Sequence, residues 1–240
     1  MLRAITLDYW DTIYLGAALP ARGERRRESV RRLLAHYGAD LAPAALDTLY
    51  KDSGRETGRW WSEEHRGYRA ADRIRWMLDR VGIRTAENCE VLSATIREVD
   101  YVLLEMPPQL LPGAAEGLRA LSARVPLAII SDTGFASGEA QNRLLAQDGL
   151  LDCFTATIYS CDVGHTKPRI EMFDAARTAL GVPASDILHV GDLERTDIAG
   201  ALAAGFRAVR IDVARDSGPS AAETVVHSFA KLTAYLLGQH

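Results

Sequence analysis

Leu2-Arg3-Ala4-Ile5-Thr6-Leu7-Asp8-Tyr9-Trp10-Asp11-Thr12 reads as a short hydrophobic strand that stops at a carboxylate. A later segment has the same form, Ile187-Leu188-His189-Val190-Gly191-Asp192, with Asp197 one helical turn further on. Between them lie Ser131, which closes the apolar run 126–130, and Lys167, which stands before Pro168. From Ala114 onward strand and helix signals alternate. The expected order is helix 114–123, strand 126–130, helix 136–147, a strand near 155–159, helix 169–180, strand 187–190, helix 196–204, strand 207–211, a short extended segment at 224–227 and a helix near 228–237. Apolar strands that alternate with helices predict a parallel sheet covered on both faces.

The stretch between the first strand and this alternating region has another character. Val30, Leu33, Leu34 and Tyr37 recur at helical spacing, as do Leu46, Leu49 and Tyr50, then Ile74, Met77, Leu78 and Val81, then Leu92, Ile96, Val99 and Leu103. Pro107, Pro108, Pro112 and Gly113 break the pattern. Helical hairpins bury their apolar stripes against one another, so a small bundle is expected. The chain therefore divides into an α/β domain, residues 1–14 and 109–240, interrupted by a helical domain over 15–108.

With 240 residues and 48% hydrophobic content, the chain has enough material for a full core. Net charge is -4 and no basic stripe runs along it, which argues against a nucleic-acid partner. The cluster Arg22, Arg25, Arg26, Arg27, Arg31, Arg32 reads as the water-facing side of a helix. Lysine occurs only at Lys51, Lys167 and Lys231. Cys89, Cys153 and Cys161 are widely spaced and form no paired metal motif, which fits a reduced, cytoplasmic setting. No charged-then-apolar leader is read at the start, and no apolar run reaches bilayer-spanning length, so no membrane partner is expected.

Parallel α/β sheets place ligands beyond the C-terminal ends of their strands. Asp8, Ser131, Lys167 and Asp192 all fall at such ends, and charge suggests their roles. A carboxylate can attack phosphorus and split hydrolysis into two steps. Two anions repel, so the approach needs a cation. Asp8, the backbone carbonyl of Trp10 and Asp192 offer the oxygen ligands that Mg²⁺ prefers. Asp197 is placed to bind metal-ligated water or to orient Lys167. The Ser131 hydroxyl can grip phosphoryl oxygens, and Lys167 can neutralise charge on the nucleophile and the transferring group.

These motifs resemble those of the haloacid dehalogenase-like (HAD) hydrolase superfamily, in the group with a helical cap inserted after the first strand. Asp8 with Thr12 matches its first motif and Ser131 its second. Gly164-His165-Thr166-Lys167-Pro168 matches its third, and Gly191-Asp192 followed by Asp197 its fourth. The resemblance implies a Rossmann-like parallel core with helices on both faces and a helical-bundle cap. It also implies Mg²⁺ as cofactor and a small, phosphorylated metabolite as substrate; the sequence leaves monomer and homodimer both open.

Trp10 departs from the pattern. Phosphatases of this superfamily carry a second Asp there, which protonates the leaving group and activates water. Indole cannot shuttle a proton at neutral pH. Adjacent Asp11 is a candidate substitute, with a role in the turn as the plainer account. Three readings follow: a Mg²⁺-dependent phosphoester hydrolase, a metal-free 2-haloacid dehalogenase, whose branch carries an aromatic residue at this place, or a catalytically weak binding protein. The Gly-Asp form of the fourth motif favours the first. Phosphonate-cleaving relatives use a cap lysine, but Lys51 has the surroundings of an ordinary surface residue.

Arg55-Glu56-Thr57-Gly58-Arg59-Trp60-Trp61 is the candidate substrate-facing stretch of the cap, with Arg55, Arg59 and Trp60 as contacts beside Trp10 and Thr12. Gly58, with Gly54 just before the stretch, permits an unusual turn. Tyr68 and Trp76 read as cap core. Glu194 and Arg195 stand where a closing cap would meet the core.

Overall fold

The computed structural model describes residues 2–16, 19–86, 89–213 and 218–238. Strand β1 (Ala4–Leu7) is buried at every position. Four helices follow it: α1 (Pro20–His36), α2 (Pro43–Ser62), α3 (Ala70–Arg80) and α4 (Glu90–Glu105). Proline occupies the first turn of both α1 and α2, where its missing N–H costs no helical bond. At the start of α3 the Asp72 carboxylate accepts from the Arg69 amide at 2.7 Å. The apolar stripes converge on one buried cluster that includes Val30, Leu33 and Leu34 of α1, Leu46 of α2, Ile74 and Met77 of α3, and Leu92 and Val99 of α4. Each such side chain contributes about 1.5–3 kcal/mol on burial. These helices form the cap.

Helix α2 runs without interruption through Gly54 and Gly58, where the sequence suggested a turn. Glycine costs about 1 kcal/mol in a helix interior. Here the buried face, Leu46, Leu49, Ser53, Thr57 and Trp60 at spacings of three and four, outweighs that cost.

The chain then continues as α5 (Ala114–Ser122), β2 (Leu127–Ser131), α6 (Gly138–Gln147), β3 (Phe154–Tyr159), the single turn α7 (Ser160–Val163), α8 (Ile170–Leu180), β4 (Ile187–Gly191), α9 (Ala199–Ala203), β5 (Arg207–Ile211), β6 (Thr224–Val226) and α10 (Phe229–Leu237). The sequence suggested one helix over 196–204. Instead a widened π turn, Glu194–Ile198, precedes the short α9. The described strands form one sheet in the order β3-β2-β1-β4-β5-β6, with every pair parallel. Strand β1 is the point of reversal, with β2 on one side and β4 on the other. Ile5 and Leu7 pack with Leu118, Leu121, Phe229 and Leu232 on one face, while Ala4 packs with Met172, Phe173 and Ile198 on the other. The C-terminal ends of β1, β2 and β4 therefore lie side by side, at the position where such sheets hold ligands. No helix among the described residues is long and apolar enough to cross a membrane.

Cap and core are joined along a seam. Arg66 pairs antiparallel with His165. The Thr166 amide donates to the His65 carbonyl and the Gly67 amide to the Gly164 carbonyl, both at 3.0 Å. A Cβ on Gly67 would stand 1.9 Å from the Ser160 carbonyl oxygen, so only glycine allows this approach. A second anchor is Asp100 of α4, whose carboxylate accepts from both the amide and the hydroxyl of Ser137 at 2.7 Å. Gly67→Ala is expected to part the first seam and to cost about 1–3 kcal/mol. Hydrogen exchange would then accelerate at the Gly67 and Thr166 amides while the sheet amides stay protected, and unchanged exchange there would refute the seam.

Candidate active site

Asp8 follows β1 directly. Its amide donates to the Val190 carbonyl at 2.8 Å, which carries the β1–β4 ladder one residue beyond the strand and fixes the backbone at the carboxylate. Lys167 arrives on the loop after α7, and its Nζ lies 2.5 Å from Asp8 Oδ1 and 2.5 Å from Asp197 Oδ1. All three side chains are buried. The π turn delivers Asp197, whose Oδ2 accepts from the Leu193 amide at 3.0 Å. Asp197 Oδ1 is also 3.3 Å from His189 Nε2, and His189 Nδ1 is 2.9 Å from the Thr6 hydroxyl. Gly191 makes room for this arrangement, since a Cβ there would stand 2.4 Å from Asp197 Cβ and Cγ.

The two carboxylates are shifted in opposite directions. Burial pushes Asp8 well above the usual aspartate range. The Lys167 ammonium opposes this, and the charges of Asp197 and Asp192 add to it. Burial also pushes Asp197 up, but the Lys167 ammonium and the His189 ring outweigh it and hold the group below the ordinary value. Lys167 is raised: burial disfavours its charge, and the facing Asp197, Asp8 and Asp132 more than restore it. Burial lowers His189, which favours the neutral ring.

Above this triad is a cavity of about 270 Å³ lined by Asp8, Trp10, Asp11, Trp61, Tyr68, Asp132, Thr133, Gly134, Lys167, Asp192, Leu193, Thr196 and Asp197. Trp61 and Tyr68 come from the cap. The Trp61 indole donates to Asp132 Oδ2 at 2.9 Å, and the Lys167 amide donates to Asp132 Oδ1 at 3.0 Å. The Arg195 guanidinium covers the other face of the contact, 4.7 Å from the Trp61 ring. Asp132 thus links the cap to the backbone that carries Lys167. Burial pushes its carboxyl up, opposed by the Lys167 charge.

The structure brings Asp8, Trp10, Asp11, Lys167, Asp192 and Asp197 to this cavity and leaves Thr12, Ser131, Arg55, Arg59 and Trp60 off its walls. Ser131 is fully buried and its hydroxyl donates to Gln141 Oε1 at 3.1 Å, so Asp132, Thr133 and Gly134 present the β2 end instead. Thr12 is buried beneath the loop, with no partner for its hydroxyl among the described residues. Arg55 is exposed and paired with Asp52, while Arg59 pairs with Glu56 at 2.7 Å and also with Glu64. Trp60 faces inward, bonded to Glu56 and packed edge-on against Tyr68. Asp11, at a φ of 53°, accepts the Gly16 amide through Oδ1 at 2.8 Å.

Sequence reasoning missed Asp132, whose signal was a second polar residue at a strand end beside the one chosen. Trp61 fell within the candidate cap stretch but Trp60 was chosen as its contact, Tyr68 was read as cap core, and His189, near a strand end, was given no role.

A parallel core whose central strand ends in a buried acid, closed by a helical cap that reaches into the same cavity, defines the capped α/β hydrolases. A family model described as haloacid dehalogenase-like hydrolase matches residues 2–205, and the chain belongs to that family. Over 91 residues, 38% of this chain and 35% of the relative, it is 36% identical to 5-amino-6-(5-phospho-D-ribitylamino)uracil phosphatase YigB of Escherichia coli (strain K12). It thus spans about a third of that protein's length. Over 214 residues, 88% of this chain and 84% of the relative, it is 27% identical to glyceraldehyde 3-phosphate phosphatase of Methanopyrus kandleri. Among solved structures, 2-haloacid dehalogenase from Pseudomonas syringae pv. Tomato DC3000 superposes with a TM-score of 0.75, at 23% identity and full coverage of both chains. At that identity the likeness concerns the fold.

The opposite shifts give a test by isosteric replacement in metal-free buffer. Asp197→Asn is expected to lower stability by about 1–3 kcal/mol at neutral pH, because it removes an anion that the fold favours. Asp8→Asn is expected to raise the melting temperature, because it removes an anion that the fold disfavours. The signs also fix the pH dependence. Stability from Asp197 is present above the ordinary aspartate pKa and is lost as acid protonates it. The gain from Asp8→Asn fades as pH falls from neutral toward that ordinary value, since Asp8 then takes up its proton while folded. Equal shifts of one sign in both variants would contradict the assignment.

Proposed function

We propose that the protein hydrolyses phosphate monoesters through a phosphorylated Asp8 with a divalent cation, Mg²⁺ by ligand chemistry, held at Asp8, Asp192 and the Trp10 carbonyl. The observation that supports this most is the charge of the cavity. Asp8, Asp11, Asp132, Asp192 and Asp197 line it, against Lys167 as the one cationic side chain among the described lining residues. That ammonium is already engaged by two carboxylates. A phosphate or a haloacid carboxylate is repelled by such a cavity unless a cation enters with it.

The donor set fits a hard divalent ion, being all oxygen, and the Asp192 charge that pushes Asp8 up is the repulsion an ion would offset. No three His, Cys, Asp or Glu side chains among the described residues form a closed metal cage. Mg²⁺ needs none, because it keeps several waters and binds through one or two carboxylates. When bound, the ion would supply charge neutralisation between the nucleophile and the phosphoryl oxygens. Metal-free dehalogenation gains nothing from Asp192, which would add a negative charge beside a carboxylate substrate.

The chain's own groups divide the work. An Asp8 oxygen attacks phosphorus, the ester P–O bond breaks, and the alcohol departs with a proton from solvent. Water then attacks the phosphoryl-Asp8, which releases inorganic phosphate and restores the carboxylate. Lys167 holds Asp8 in place and balances its charge. Trp61 and Tyr68 exclude water from above. With Trp10 at the usual site of the acid, and Asp11 engaged with the Gly16 amide, no side chain is assigned to protonate the leaving oxygen. The site therefore suits esters with good leaving groups. The phosphatase names of two relatives support a phosphorylated metabolite as substrate.

An aryl phosphate is expected to be turned over with Mg²⁺, with loss of activity in EDTA and in Asp8→Asn. Trp10→Asp is expected to raise turnover of alkyl phosphates by up to about 10²–10⁴, and that of the aryl ester by much less. Metal-independent halide release from 2-chloropropionate would overturn the reading. Silence on both substrate classes would favour a binding protein.

A further inference from the structure

A second cavity of about 420 Å³ adjoins the catalytic one and shares Trp10 and Gly134 with it. Its walls come from the start of α1, from α2 and α3, and from the loop between β2 and α6. Its charge is the reverse of its neighbour's. Arg22, Arg26 and Arg73 line it, with no acidic residue among the described lining residues.

Among the described residues, none of the three guanidinium groups has a carboxylate as a hydrogen-bonding partner. Arg22 is 93% buried: its Nε donates to the Met106 carbonyl at 2.7 Å, and its buried Nη2 has no partner among the described residues. Arg26 donates to the Val99 carbonyl at 3.2 Å. Arg73 donates to the Ser53 hydroxyl at 2.9 Å and the Tyr50 carbonyl at 3.2 Å. Phe135 and Tyr50, nearly parallel at 6.0 Å, hold the cations by their faces. Arg73 lies 4.1 Å from the first ring and 4.9 Å from the second, and Arg26 lies 5.1 Å from the first. Asp100 is the carboxylate whose charge reaches Arg26, and its own oxygens are bonded to Ser137.

Neutral carbonyls, hydroxyls and ring faces thus fix three cations without neutralising them. Burial lowers the pKa of each, and Arg22 and Arg73 lower Arg26 further. A structural strut needs one such arginine. Three around one cavity repel one another, which a purely structural role does not require.

We propose that this chamber binds a small organic anion, a carboxylate or a phosphate. The shared Trp10 wall makes the distal acidic group of the substrate its natural source. The substrate would then be a phosphorylated acid or a bisphosphate lying across both cavities. That assignment of source rests on the phosphatase reading, but the anion site does not.

The test is calorimetric binding of succinate to the full chain in metal-free buffer, where the acidic catalytic cavity repels it. One site is expected. Its affinity should fall roughly tenfold or more in Arg26→Gln and in Arg73→Gln, with partial recovery in Arg26→Lys and Arg73→Lys. Melting curves identify any variant that fails to fold, and the lysine variants then carry the comparison. Absence of succinate binding to the parent protein, or equal affinity in folded variants, overturns the chamber. The source is read from the ratio of kcat/KM for phosphoglycolate to that for phenyl phosphate. A fall in this ratio in Arg26→Lys assigns the anion to the substrate. An unchanged ratio with weakened succinate binding assigns it to a free anion held beside the site. Succinate binding without turnover of any phosphate ester defeats the phosphatase reading alone.

Discussion

One ammonium group, Lys167 Nζ, sits in the protein interior between Asp8 and Asp197. Moving an ion out of water costs several kcal/mol even after relaxation, and the site moves three. The local fold is arranged so that this cost is met by contacts on every side. The β1–β4 ladder fixes Asp8, the π turn and the missing Cβ of Gly191 admit Asp197, and His189 holds Asp197 from below. The result is asymmetric. Lys167 and His189 favour Asp197 as an anion, whereas burial and the neighbouring carboxylates disfavour the charge of Asp8. On the phosphatase reading, sharing this charge with a divalent cation would free Asp8 to act as the nucleophile.

The same lysine couples chemistry to cap position. The loop that carries it, 164–166, is bonded to residues 65–67 of the cap, and its backbone amide reaches Asp132, which Trp61 of the cap also contacts. Arg195, from the turn that carries Asp197, packs on Trp61 as well. Displacement of the cap would therefore disturb the seating of Lys167 and of the turn that carries Asp197.

What could be read from the chain follows from these constraints. In a parallel sheet an apolar run that stops at an acid must place that acid on the ligand side, so Asp8 and Asp192 were legible from local pattern alone. Side-chain direction was not: Ser131 and Asp132 are neighbours on one strand end, and the fold turns the first toward Gln141 and the second toward the cavity. The cap was harder still. Trp60 and Trp61 differ by about 100° around a helix, and which one meets the core depends on the seating of α2. Arg55 and Arg59 lie three residues after Asp52 and Glu56, the spacing of surface ion pairs. The arginine-rich helix α1 mixes both cases, since Arg31 and Arg32 form surface pairs while Arg22 and Arg26, four apart, turn inward.

Charge in this chain is sorted rather than spread. Its net value of -4 conceals one cavity lined by five aspartates and another lined by three arginines, with Trp10 bordering both. Two cavities of opposite sign at one boundary set up a field that orients any molecule carrying unlike groups. On the proposed readings the acidic side would accept an anion only together with a cation, while the basic side would accept one directly. An indole at the border adds no charge to either cavity, and it separates them by bulk. The residue that departs from the family pattern therefore stands, with Gly134, at the border of the two cavities.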